Sequence, residues 1–180
     1  TAAGHTIGEP EIGVMVEVPS AALCAEALAP HVDFFSIGTN DLSQYTYAAD
    51  RMAGELADLL DAWQPALLDL VRMTAEAGKA LGKPVGVCGE AASDPLLALV
   101  FVGLGITSLS MAPVSIPGVR AAVAAHTLAE CRGLATLALD AARIRESGFR
   151  AHLTKPVDPR VVVETVLDAL SSEGDGQEPA

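Results

Sequence analysis

Apolar positions along the chain alternate between two rhythms. Short apolar or β-branched runs occur at 12–18 (IGVMVEV), 33–37 (DFFSI), 84–87 (PVGV) and 108–111 (SLSM), and each is followed by Ala- and Leu-rich sequence at helical spacing. Runs of this length bounded by Gly, Pro and Ser predict strands, and the longer segments between them predict helices. Pro19 and Ser20 end the first strand before a helix over 21–28, with Ser20 as the expected N-cap. Gly38, Thr39, Asn40 and Asp41 close the second strand, and helical sequence then runs with interruptions to Leu60. A helix over 65–81 stops at Gly82, and the third strand ends at Cys88, Gly89 and Glu90. Helices over 94–104, 118–125 and 128–139 complete this part.

Repeated strand-then-helix units predict a parallel sheet with right-handed crossovers, either doubly wound or part of a closed barrel. A complete eight-unit barrel takes about 250 residues, so the expected fold class is α/β, with parallel strands forming half of a (β/α)8 TIM-type barrel. Beyond 142 the pattern changes. Residues 143–150 are charged, 151–154 predict a short strand and 158–170 an amphipathic helix, which together make one additional βα unit. The polar stretch 171–180 has no periodicity and is expected to be a disordered tail. The expected organisation is therefore 1–142, 143–170 and 171–180.

Composition narrows the function classes. Hydrophobic residues are 51% and aromatics 4%, which suits closely packed helices over a parallel sheet and argues against a β-sandwich. A net charge of -12 gives no electrostatic footprint for nucleic acid or an anionic membrane, so an anionic ligand must meet local positive charge or a metal. The uncharged stretch 95–119 is broken by Gly103, Gly105, Pro113 and Pro117, and no membrane span is predicted. Cys24, Cys88 and Cys131 lack metal-ligand spacing, which points to a reducing, cytoplasmic location. The start at Thr1, without Met or a signal pattern, is expected to be a truncated boundary.

In parallel α/β folds, ligands sit at the carboxyl ends of strands. Glu17 shares a strand face with Met15, Asn40 and Asp41 follow the second strand, and Cys88 and Glu90 end the third. Two carboxylates from neighbouring strand ends suit Mg2+, although Glu17 alone reads equally as an exposed acid and Asp41 as a helix N-cap. Arg51 offers a guanidinium for phosphate or a solvated partner for Asp50, and Cys88 is either an inert strand thiol or a rim acid. His5, His31, His126 and His152 are expected to be structural or solvent-facing, and Trp63 a packing residue in a loop. No G-x-S-x-G turn supports a serine nucleophile.

The segments IGVMVEVPSA at 12–21, DFFSIGTNDLSQYTYAADR at 33–51, WQPALLDLV at 63–71, GVCGEAASDP at 86–95 and SLSMAPVSIP at 108–117 stand in an order that resembles enzyme I of the phosphoenolpyruvate-dependent sugar phosphotransferase system. The resemblance covers about 11–141. It implies that Glu17 and Asp41 ligate magnesium, that Asn40, Asp41 and Arg51 bind substrate, and that Cys88 exchanges a proton with the methylene carbon of the enol. It also implies a cytoplasmic, homodimeric transferase that moves a phosphoryl group from phosphoenolpyruvate to a protein histidine, with a phosphocarrier protein as partner. Pyruvate phosphate dikinase and phosphoenolpyruvate synthase share related motifs. A non-catalytic half-barrel scaffold and a metal-dependent lyase for small keto acids are competing expectations.

The sequence GFRAHLTKPVDPRVVVETVLDAL at 148–170 resembles the last strand and helix of a response-regulator receiver domain, with Lys155 and Pro156 at the switch-lysine position. No phosphoacceptor aspartate site of that family stands upstream. For the assembled chain, the expectation is an open flavodoxin-like sheet or self-association that completes a barrel.

Overall fold

The computed structural model describes residues 8–146 and 158–174. The four strands expected in the barrel half form as β1 (Gly13–Val16), β2 (Phe34–Gly38), β3 (Val85–Cys88) and β4 (Ser108–Ser110), all parallel and in the order β1-β2-β3-β4. This order overturns the flavodoxin-like alternative, which requires the chain to reverse its direction of travel across the sheet. Right-handed crossovers that always advance one strand the same way set their helices on one face, as in a barrel.

The period-two alternation then separates the faces. Val16, Phe35, Ile37, Val85 and Val87 point into the core and are at most 1% exposed. Met15, by contrast, is 48% exposed, and Ser108 and Ser110 are exposed too.

Each helix has a local cause. Proline stands in the first turn of α1 (Pro19–Leu23), α4 (Pro65–Ala80) and α5 (Pro95–Leu104), where its missing N–H goes unused. Asp94 caps α5 through Oδ1, which accepts from the N–H groups of Leu96 at 2.8 Å and Leu97 at 3.4 Å. Gly105, at φ +100, ends that helix in the left-handed region. α4 packs on β2 and β3, and α5 packs among α4, α6 (Ile116–Ala124) and α7 (Leu128–Glu146). A Cβ on Gly103 would fall directly on the Cys131 carbonyl, so only glycine lets α5 and α7 approach this closely. Trp63 is 2% exposed in the loop before α4, as expected of a packing residue.

Several expected boundaries move. Ser20 is not an N-cap, because Pro19 already begins α1 and Val18 takes the capping position with extended backbone. The helix expected over 21–28 breaks at Cys24, and α2 (Ala25–Leu28) leads into a 3-10 turn at Ala29–His31. α3 (Thr39–Tyr47) ends where Ala48 turns left-handed at φ 49, and the remainder of the expected helical stretch is a 3-10 segment at Gly54–Leu60. The helix expected over 128–139 runs on as α7 to Glu146. α8 (Pro159–Gly174) runs four residues into the expected tail, because Ser171, Ser172 and Glu173 continue the helix until glycine.

α8 packs on α7 and α5, and its Val163 is fully buried in the main core. The strand expected over 151–154, together with His5, His152, Lys155, Pro156 and 175–180, lies outside the described residues. Among the described residues, no helix is long and apolar enough to cross a membrane.

Candidate ligand site at the strand ends

The carboxyl ends of β1, β2 and β3 meet around Gly38. Val16 pairs with Ile37 and Gly38 with Cys88, so Glu17, one residue beyond Val16, comes level with Gly38, which has Cys88 on its other side. Strands about 4.8 Å apart put roughly 10 Å between the Glu17 and Cys88 backbones. The absence of a side chain on Gly38 makes room for the Glu17 side chain. A Cβ there would stand 2.8 Å from Cγ and Oε1 of Glu17.

Gly38 is also the N-cap of α3, which receives no side-chain capping bond. Asp41 is therefore the third residue of the helix, and its expected capping role is overturned: the chain turns into α3 at Gly38, too early for Asp41 to cap it. Glu17 and Asp41 are both half-buried. Neither carboxylate is held by a hydrogen bond or ion pair among the described residues, which leaves their oxygens uncommitted. The described residues contain no cluster of three or more His, Cys, Asp or Glu able to hold a metal.

Cys88 is half-buried on the open face. Its thiol lies 3.4 Å from the Ile37 carbonyl, to which S–H donates, with the Ser36 hydroxyl at 3.8 Å and Met15 Sδ at 3.9 Å. Cys131 is buried, which pushes its thiol pKa up, and Cys24 is exposed. His31 is exposed, and His126 Nδ1 lies 2.8 Å from the Ala122 carbonyl, so both fit their expected roles.

The first turn of α3 links the ends of β2 and β3. The Thr39 hydroxyl donates to the Cys88 carbonyl at 3.1 Å, and the Glu90 N–H donates to Asn40 Oδ1 at 3.3 Å. Between them Gly89 adopts φ +105, with Thr39 Oγ1 and Asn40 Oδ1 at 2.8 and 3.0 Å from where a Cβ would sit. Any other residue would be strained by its backbone and blocked by these two side chains.

Asn40 also lines a cleft of about 580 Å³ with Arg51, Met52, Ala57, Leu60 and Glu90. Asp50 accepts from the Met52 N–H at 2.8 Å and forms no ion pair with Arg51 among the described residues. A smaller cleft of about 210 Å³ shares Asn40, Leu60 and Glu90 and extends to Asp94 and Arg160. The structure thus brings Asn40 and Arg51 into one cleft, and sets Glu17 and Cys88 on either side of Gly38. Sequence reasoning missed Arg160, for which no local signal exists, and the bond between Glu90 and Asn40.

Residues 2–128 match the family described as PEP-utilising enzyme, PEP-binding domain. The chain is 58% identical over 142 residues to a phosphoenolpyruvate-protein phosphotransferase of Streptomyces coelicolor, covering 79% of this chain and 25% of the relative. Identity to the protein of the same name from Haloferax volcanii is 50% over 132 residues, covering 73% of this chain and 23% of the relative. With a multiphosphoryl transfer protein of Xanthomonas campestris pv. campestris it is 48% over 128 residues, covering 71% and 15%. The chain spans a quarter or less of the length of these curated relatives.

Proposed function

The chain belongs to the PEP-utilising enzymes through their PEP-binding domain, and from that membership we propose that it binds phosphoenolpyruvate, with magnesium, at the carboxyl ends of β1, β2 and β3. The observation that carries this reading is the pair of half-buried, uncommitted carboxylates, Glu17 just past the end of β1 and Asp41 in the first turn of α3, the same turn from which Asn40 reaches the cleft it lines with Arg51. Two hard oxygen ligands from protein fit Mg2+, which takes its remaining ligands from water and phosphate. When bound, the metal supplies positive charge against the phosphoryl and enol oxygens.

The residues divide the remaining work. The Asn40 amide donates to phosphoryl oxygens, and the Arg51 guanidinium offers two parallel donors to the same group. Loss of the phosphoryl group leaves an enolate. Its methylene carbon takes the Cys88 proton: the S–H bond breaks, a C–H bond forms, pyruvate results, and the thiolate recovers a proton from solvent at the open rim. The Ile37 carbonyl and Ser36 hydroxyl steady the thiol for that transfer.

In a full-length protein of this family, the phosphoryl group would pass to a protein histidine in a cytoplasmic, homodimeric enzyme of sugar uptake, with a phosphocarrier protein as the next acceptor. Titration calorimetry of the purified chain tests the reading. Heat on adding phosphoenolpyruvate is expected only with magnesium, and is expected to vanish in Glu17→Ala and Asp41→Ala while circular dichroism is unchanged. No heat from the folded, unmutated chain sinks it.

A second reading, assembly, rests on the sheet itself. Among the described residues, β1 and β4 each have one unpaired edge, a standing invitation to further strands. Self-association then completes a barrel, and a monomer at all concentrations in light scattering eliminates it.

A further inference from the structure

α8, like nearly all of α7 on which it chiefly packs, lies outside the residues that match the family, yet it also reaches α5 within them. Pro159 and Val163 are buried, and Val166 and Leu167 pack against the same core. Its start is fixed by Asp158, whose Oδ1 accepts from the Arg160 N–H at 2.9 Å. From there Arg160 Nη2 donates to Asp94 Oδ2 at 3.2 Å, and Nε lies 3.4 Å from Glu164 Oε1. The other Asp94 oxygen is committed to the first turn of α5. Arg160 and Asp94 both line the smaller cleft with Asn40 and Glu90.

We propose that Arg160 is a positioning residue for the ligand site, which it serves by holding Asp94 and so fixing the far end of the connector over 89–94. The near end of that connector leaves Cys88 through the left-handed Gly89, and Glu90 then bonds Asn40. Its 3-10 turn at Glu90–Ser93 closes when the Asp94 N–H donates to the Ala91 carbonyl at 3.3 Å. The connector is thus anchored on α3 at one end and on α5 and α8 at the other. Losing the α8 part of the second anchor, with the cap on α5 kept, gives Glu90 more freedom to drift from Asn40 and loosens the phosphoryl-binding wall.

The ligand arm of this inference rests on the phosphoenolpyruvate reading; the dynamic arm does not. In the full chain, Arg160→Ala is expected to speed amide exchange over 90–97 by about two- to fivefold, the range that a partly exposed ion pair supports. Exchange over 161–168, where only the surface pair of Arg160 with Glu164 is lost, should speed less than over 90–97, phosphoenolpyruvate affinity with magnesium should fall by a similar factor, and Arg160→Lys should restore most of both. Unchanged exchange over 90–97 in Arg160→Ala overturns the proposal. So does equal loosening of 161–168 that lysine fails to rescue, because the residue then merely holds α8 in place. If the unmutated chain binds no phosphoenolpyruvate, the functional reading fails alone, and the exchange measurements still decide whether Arg160 positions the connector.

Discussion

The two faces of the sheet are built from alternate residues of the same strands, and they do opposite things. On the helix side, Phe35, Ile37, Val85 and Val87 are nearly or fully inaccessible and join α4 and α5 in a continuous core. On the other side, Met15, Ser36, Gly38 and Cys88 are small, polar or sulfur-bearing and carry the candidate site at one end. The division shows how such a fold separates stability from chemistry: moving one position along a strand exchanges a packing role for a ligand-facing one.

The widest contrast is expected from Phe35→Ala, which removes a ring that is 1% exposed and costs about 3–5 kcal/mol in urea unfolding. Cys88→Ala on the open face is expected to cost about 1 kcal/mol or less. Equal losses would break the comparison.

Next in size is Gly103→Ala. Helix propensity favours alanine by about 1 kcal/mol, but the added methyl meets the Cys131 backbone, which cannot rotate away. A net loss of about 1–3 kcal/mol follows from forcing α5 off α7.

Gly38→Ala sharpens the contrast, because the three atoms nearest its added methyl all belong to the flexible Glu17 side chain. Glu17 moves and the fold stays, so the melting point is expected to hold while magnesium-dependent phosphoenolpyruvate binding weakens, as read by calorimetry.

The smallest effect concerns neither face. Glu130 accepts from the Thr127 N–H at 2.6 Å and its hydroxyl at 2.8 Å, while the Thr127 hydroxyl accepts from the Glu130 N–H at 3.3 Å. This reciprocal box caps α7. The bond from the Thr127 N–H, then that from its hydroxyl, lowers the Glu130 pKa. A lowered folded value means that the stabilisation is complete above the unfolded glutamate pKa of about 4.3 and fades as pH falls through the folded value. The melting-point difference between the unmutated chain and Glu130→Gln is therefore expected to shrink in acid, and a difference independent of pH would contradict it.

Where the candidate residues stand along the elements was legible in advance. Glu17 could be placed on the face of Met15, and Asn40, Asp41 and Cys88 at strand ends, because alternation and Gly-containing turns are local signals. The capping reading of Asp41 was equally local and does not describe the structure, and the Cys88 thiol is half-buried rather than fully buried. Cys88 faces the uncovered side, and Gly38 caps α3. Trp63 was recognisable as a packing residue, but not its indole N–H, which is buried without a hydrogen-bond partner among the described residues.

Strand and helix order, and the assignment of residues to faces, follow from periods of two and 3.6 that any short window of the chain contains. The sequential strand order, the covering of one face and the meeting of distant partners have no such local record. Asn40 finds Glu90 across 50 positions, and Arg160 finds Asp94 across 66. Those pairings depend on how the helices pack and the sheet curls, because only burial of the shared core brings the segments together.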